Sequence, residues 1–151
     1  MIVYRIGKAA YIQDLSGTGG LFGSGRWHKQ GTRIIYTSES VSLAKLEILA
    51  NYRIIPPNMH LLTLKIPDKI PVQTIDVTLL PQNWQDINYP EALAEIALTW
   101  IKGLEYACLR VPSAQSVNEY NVLLNPLHQD HSKIKILKTE PVFFDPRLKM
   151  S

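Results

Sequence analysis

With 151 residues, 46% of them hydrophobic and 19% charged, the chain has the balance of one folded domain, spanning 1–151, and wholesale disorder is excluded. No apolar run approaches membrane-spanning length, and the opening Met1-Ile2-Val3-Tyr4-Arg5-Ile6 lacks the plan of a signal peptide, so a cytoplasmic protein with no membrane partner is expected. A formal charge of +3 suits an anionic partner, whether nucleic acid, nucleotide or acidic protein, without choosing among them.

In chain order, weak alternation over Ile2–Ile6 predicts an opening strand. Tyr11–Gly25 is polar and glycine-rich but carries Leu15, Leu21 and Phe22, which predicts a packed loop rather than a linker. The loop runs into Gly25-Arg26-Trp27-His28. A bare glycine backbone lets a phosphate approach closely and an arginine fork pairs with its oxygens at two points, so phosphate handling is the first expectation here. A strand over Arg33–Thr37 carries Tyr36, and a helix over Val41–Tyr52 follows, capped by Ser38 or Ser40. His60–Pro67 reads as a strand, Val72–Val77 as another, and Leu79–Pro90 as a surface loop. Pro90 opens a second helix whose apolar face is Leu93, Ile96, Ala97 and Trp100, with Gly103 as its stop.

Tyr106–Val111 is almost continuously apolar, which predicts a central strand with Cys108 as buried packing. As the lone cysteine, Cys108 permits no internal disulfide. Further strands are expected over Tyr120–Leu124, Lys133–Lys138 and Val142–Asp145, with a turn at Asn125-Pro126. In Lys133–Lys138 the lysines alternate with apolar residues, which predicts one solvated and one buried face with the isoleucines inward, rather than a nucleic-acid stripe. Many short strands with two helices give an α+β class with a mainly antiparallel sheet.

Glu47 stands out on the first helix. Its neighbours at three and four residues are Leu43, Ala44, Ala50 and Asn51, none of them a cation. Two readings remain open: a rim glutamate whose partner comes from another segment, or a carboxylate in a part-apolar cleft where its charge is less screened. Other constellations are weak. The glycine loop has no Gly-Lys-Ser/Thr after it, His128-Gln129-Asp130-His131 lacks further ligands at metal-binding spacing, and no nucleophile elbow surrounds any serine. No metal is expected. Ser113, closing the central strand, is better placed to donate a hydrogen bond than to attack. The set Arg26, Tyr36, Glu47 and Ser113 suits cleavage of a ribose–nicotinamide bond, whose oxocarbenium-like state needs a carboxylate, a grip on pyrophosphate and a flat surface for the nicotinamide.

At these residues the chain resembles the RES-domain family, named for its Arg, Glu and Ser. The pieces that carry the resemblance are Tyr4-Arg5, Gly25-Arg26-Trp27, Ile35-Tyr36-Thr37-Ser38, Leu43-Ala44-Lys45-Leu46-Glu47, Val111-Pro112-Ser113-Ala114, Asn121 to His128, and Phe144-Asp145-Pro146-Arg147-Leu148, in this order. The resemblance implies an ADP-ribosyltransferase-like fold with a split β-sheet. It also implies the toxin half of a bacterial type II toxin–antitoxin pair that consumes NAD as substrate by hydrolysis or phosphorolysis. The implied partner is an Xre-type helix-turn-helix antitoxin that blocks the site, with a toxin homodimer inside an even-numbered complex. Arg26, Tyr36, Glu47 and Ser113 are the positions carried over, joined by Asn125 and Arg5 as NAD contacts; Arg5 is equally a candidate for a structural ion pair. One departure is Asn51, where many relatives place a histidine.

Two other functions fit the residues. The first is transfer of ADP-ribose to a protein. The second is a non-catalytic, basic nucleic-acid module, for which Arg26, His28, Lys29 and Arg33 would supply charge and Trp27 a stacking surface.

Overall fold

The computed structural model describes residues 1–149. The elements are β1 (Ile2–Lys8), the single turn α1 (Gly19–Phe22), β2 (Ile35–Ser38), α2 (Val41–Asn51), β3 (Met59–Lys65) and β4 (Val72–Thr74), then α3 (Ala92–Gly103), β5 (Cys108–Pro112), β6 (Tyr120–Leu124) and β7 (Lys135–Pro141). All seven strands form one sheet in the order β4-β5-β6-β2-β1-β3-β7. Every pairing is antiparallel except β4 with β5, so the α+β, mainly antiparallel class read from the sequence is the observed one.

The sheet is split where the chain would otherwise close it. β1 pairs with β3 along its whole length, and β2 pairs with β6 from Ile35 to Ser38. Between β1 and β2 the register holds at one position only, Tyr4 opposite Ser38. Beyond that pair the two strands diverge and leave a gap in the middle of the molecule.

Alternation along the strands covers both faces. Val3, Leu62, Leu64, Cys108, Val122 and Leu124 pack on one side with Ile12, Ile66 and Ile70 from the connecting segments. On the other side Leu109, Val111 and Leu123 meet Leu93, Ala97 and Trp100 of α3, while Ile6 and Leu61 meet Ala44 of α2. The apolar stripe read for α3 is the buried one, and Trp100 also donates its indole N–H to the Tyr106 carbonyl at 2.8 Å. Cys108 is fully buried, as expected of a packing residue.

Several boundaries differ for identifiable reasons. Ser40, not Ser38, caps α2: its side chain accepts from the Leu43 N–H at 3.0 Å. Gly103 is the last helical residue of α3 and the left-handed position falls on Leu104, at φ 55. The strand expected over Val72–Val77 stops at Thr74, and a 3-10 turn takes Val77–Leu79. Val142–Asp145 is irregular rather than a strand.

The alternation expected over Lys133–Lys138 fails. Ile134 is buried, but Ile136 and Leu137 are 40% and 52% exposed. β7 is an edge strand paired, among the described residues, with β3 alone, and Lys135–Lys138 are exposed at every position. Lysines and Pro141 on such an edge discourage pairing with other chains. In the Tyr11–Gly25 loop, Leu15 packs against the core as expected, whereas Phe22 is exposed.

Candidate active site

The gap between β1 and β2 opens into a cavity of about 680 Å³. Its walls are β1 (including Arg5), the Tyr11–Gly20 loop, β2 with Tyr36 and Ser38, and the Glu47 face of α2; Asn121 of β6 reaches it from behind β2. Such a volume lies in the range of small-molecule sites, roughly 300–1,000 Å³. Ala44, Ile48 and Ile35 give the walls their apolar part, and Asn51 lies on the same helical side as Glu47.

Glu47 is half-buried, and its partners come from distant strands. Ser113 Oγ donates to its Oε1 at 2.8 Å and Asn121 Nδ2 donates to the same oxygen at 2.9 Å. Among the described residues nothing donates to Oε2. Both donors are neutral, and together they fix the orientation of the carboxylate without an ion pair. Each donor is itself held: the Gln115 N–H donates to Ser113 Oγ at 3.1 Å, and Ser38 Oγ donates to Asn121 Oδ1 at 2.7 Å. Ser113 is 1% exposed and is not part of the cavity lining, so it braces Glu47 from the protein side. The sequence reading of Ser113 as a donor agrees with this geometry.

Arg26 and Tyr36 are positioned by a tight turn. Gly25 and His28 exchange backbone hydrogen bonds of 3.0 and 3.3 Å, so Arg26 and Trp27 form its tip. Trp27 enters the core beneath α3. Arg26 lies outside the cavity lining, with Nη1 donating to the carbonyls of Trp84 and Asp86 at 2.6 and 3.0 Å and its guanidinium 4.8 Å from the Tyr89 ring centre. Burial draws its pKa down from the ordinary arginine value; Tyr89, Glu47, Tyr36 and Asp86 oppose that shift. The charge therefore stands within electrostatic reach of both Tyr36 and Glu47. Both protein bonds use Nη1, which leaves the other guanidinium donors without a described partner.

The Tyr36 hydroxyl is fully engaged. It accepts from the Trp27 N–H at 3.2 Å and lies 2.7 Å from His28 Nδ1. His28 Nε2 faces the Gly23 carbonyl at 2.7 Å, an acceptor only, so Nε2 carries the proton and Tyr36 donates to Nδ1. Burial lowers the His28 pKa and raises that of Tyr36, keeping both neutral. The tyrosine thus offers the cavity a ring held in one place rather than an acid.

The loop glycines divide in two: a Cβ on Gly19, which lines the cavity, or on Gly23 would meet nothing within 4 Å, whereas Gly20 and Gly25 are crowded by the protein itself. A Cβ on Gly20 would stand 2.0 Å from the Thr32 carbonyl oxygen, and one on Gly25 would stand 2.9 Å from the Tyr36 hydroxyl. At both positions the protein's own atoms occupy the room that the missing side chain leaves. Arg5 lines the cavity and donates from Nη1 to the Asp14 carbonyl at 3.1 Å. Burial lowers its pKa, with Asp14 opposing. Asp14 in turn ties the loop by accepting from Ser16 and Thr18, which lowers its pKa to about 2.

Asn125 lies elsewhere. It is fully buried, donates to the Ile101 carbonyl at 3.1 Å and accepts from the Leu127 N–H, which makes it the clamp of the Asn125-Pro126 turn and not a cavity residue. Trp27, 3% exposed, and His28 are likewise buried, which removes the stacking surface of the nucleic-acid reading. Among the described residues no group of three His, Cys, Asp or Glu is arranged to hold a metal, and no helix is long and apolar enough to cross a membrane. Sequence reasoning missed Asn121, Ser38 and His28 as site residues. The signal for Asn121 was a lone amide in the apolar run Tyr120–Leu124; His28 was read only as part of a basic cluster.

A family model described as the RES domain matches residues 2–145. Among curated proteins, the chain is 34% identical to "Toxin Res" of Photorhabdus laumondii over 98% of its own length and 97% of that protein's. It is 36% identical to "Toxin Res" of Pseudomonas putida, covering 90% and 92% of the two chains. It is 32% identical to the "Prs ADP-ribosylating toxin" of a Sphingobium species, covering 89% and 86%. Among solved structures, the fold is similar to a chain of the M. tuberculosis MbcT–MbcA toxin–antitoxin complex, with a TM-score of 0.72 over 93% of this chain and 83% of that one, at 13% identity.

Proposed function

Since the chain belongs to the RES-domain family, we propose that it is the toxin of a toxin–antitoxin pair and acts by cleaving NAD at the nicotinamide–ribose bond. The observation that carries this reading is Glu47, fixed through Oε1 by two neutral donors on the wall of a cavity of dinucleotide size, with Oε2 left open. In the proposed reaction the electron pair of the C1′–N bond leaves with nicotinamide, which departs neutral and needs no acid. Positive charge develops on the ribose, and the Glu47 carboxylate opposes it, an interaction strongest in the transition state. Tyr36 supplies the flat surface for the nicotinamide ring. Arg26, beside the cavity, offers its unused guanidinium donors to the pyrophosphate, and Arg5 is a cation on the cavity wall itself. Water or phosphate then attacks C1′ and loses a proton to solvent, giving ADP-ribose or its 1-phosphate.

A second reading is favoured by one relative, which is named as an ADP-ribosylating toxin. In that case a protein side chain replaces water as the attacking group. The partner in both readings is an antitoxin of the Xre helix-turn-helix type that closes the cavity, the toxin forming a homodimer in an even-numbered complex in the cytoplasm. Relief of toxicity on co-expressing the adjacent upstream reading frame tests that pairing.

Incubating the purified protein with labelled NAD, with and without phosphate, and resolving products by mass spectrometry tests the reaction. Free ADP-ribose or its phosphate marks degradation, and label on a lysate protein marks transfer. Glu47→Gln keeps the shape and both donors' contacts but loses the charge, so turnover should fall by roughly 100-fold or more with the fold intact. An unchanged rate of NAD loss would refute the assigned role.

A further inference from the structure

We infer that Asn121 is a positioning residue of this site: its side-chain amide, held one way round by Ser38, aims the Glu47 carboxylate into the cavity. This inference rests on the NAD-cleaving reading for its consequence, though not for its geometry.

The argument begins with the sheet. Ser38 and Asn121 are direct cross-strand partners of β2 and β6, and Val111 flanks Asn121 on β5. An amide buried between two apolar strands costs free energy unless both of its ends are bonded. Asn121 is 9% exposed, and both ends are bonded: Nδ2 to Glu47 Oε1 at 2.9 Å, and Oδ1 to Ser38 Oγ at 2.7 Å. Only one orientation satisfies them. The ionised carboxylate can only accept, so it must face Nδ2, and Ser38 must then donate to Oδ1. Ser113 meets the same carboxylate oxygen, so together the two donors set the plane of the carboxylate and direct Oε2 away from them.

The network has no protein proton to spare for chemistry. The charged and titratable groups that share the cavity wall with Glu47 are Tyr36 and His28 from β2 and the turn, Tyr4, Arg5 and Lys8 from β1, Tyr11 and Asp14 from the loop, and Tyr52 after α2, with Arg26 beside the cavity and within electrostatic reach. The side-chain hydrogen bonds of Asn121 go to Glu47 and Ser38, so orientation of the acid is the work its contacts describe. A donor that orients a charge needed only in the transition state should show in kcat and not in KM.

Two variants and one spectrum test this. Asn121→Ala should lower kcat for NAD by roughly 10- to 100-fold with KM within about twofold, the loss of one hydrogen bond to a charged group. Asn121→Asp keeps the shape but sets two carboxylates against each other at neutral pH. Uptake of one shared proton restores an O–H donor at the same place, so activity should recover relative to the parent as pH falls from 8 to 5. In the nitrogen–proton correlation spectrum of the apo protein, the Asn121 side-chain amide should move on Glu47→Gln and on Ser38→Ala. An amide resonance that ignores both substitutions would overturn the inference whether or not NAD is consumed. So would an Asn121→Ala protein with the parent's kcat, or an Asn121→Asp protein with the parent's pH profile. If the parent consumes no NAD while the amide still follows Glu47, the functional reading fails and the orienting contact stands on the spectrum.

Discussion

The side chains of the site divide by how they are held rather than by charge. Glu47 has no cation three or four residues away on α2, and the structure explains this: its partners are a hydroxyl and an amide from residues 66 and 74 positions away. That arrangement leaves Arg26 within electrostatic reach of the acid while its described hydrogen bonds go to carbonyls. Arg26 is locked through Nη1 to two carbonyls and stacks near Tyr89, so its fork geometry matters as well as its charge. Arg26→Ala should lower kcat/KM for NAD by about 10- to 100-fold through loss of a two-point contact worth roughly 1.5–3 kcal/mol. Arg26→Lys should recover only a small part of it, since an ammonium keeps the charge but not the fork. Steady-state kinetics over a range of NAD concentrations would check both. At this scale the sequence was partly legible. The isolation of Glu47 and the donor role of Ser113 follow from local spacing, whereas Asn121 and His28 bond across sequence distances that no local pattern records.

Among the elements, α2 carries the acid and depends on its first turn. The Ser40 cap satisfies an N–H that would otherwise lose its partner. Ser40→Ala should cost about 1 kcal/mol, a fall in melting temperature of roughly 2–4 °C for a domain of this size, readable by thermal unfolding. α3 ends differently. Leu104 occupies a left-handed position that favours glycine, and it is half exposed, so little packing opposes a change. Leu104→Gly should stabilise the protein by up to about 1 kcal/mol, seen as a higher denaturation midpoint with an unchanged slope. The helix faces and most strands were legible because one side of each is buried. β7 was not, because alternation presumes a covered face and this edge strand is exposed at successive residues from Lys135 to Lys138.

For the whole molecule, the split sheet decides where the cavity lies and which groups titrate with stability. Burial raises the Cys108 thiol to about 12 and raises Tyr36 as well. Both groups are neutral when folded and ionise more easily when unfolded. The stability they lend is therefore complete below their unfolded values and is lost as pH rises past about 9 for the thiol and about 10 for the phenol. Denaturant unfolding between pH 8 and 11 should show stability falling by up to about 1.4 kcal/mol per pH unit for each group, and Cys108→Ala should flatten the earlier part of that slope. The α+β class and the antiparallel majority were legible from the count of short strands. The single Tyr4–Ser38 register pair was not: divergence of two neighbouring strands is a three-dimensional event with no period.

The order of the strands carries one more consequence. The two donors to Glu47 lie just after β5 and within β6, which the ribosome makes long after α2. A nascent chain halted before residue 113 would own the acid yet neither group that orients it, and β2 would still lack β6, its more extensively paired neighbour. Orienting the carboxylate therefore waits on the late middle of the sheet, and of the strands only β7, at the edge, is made after it.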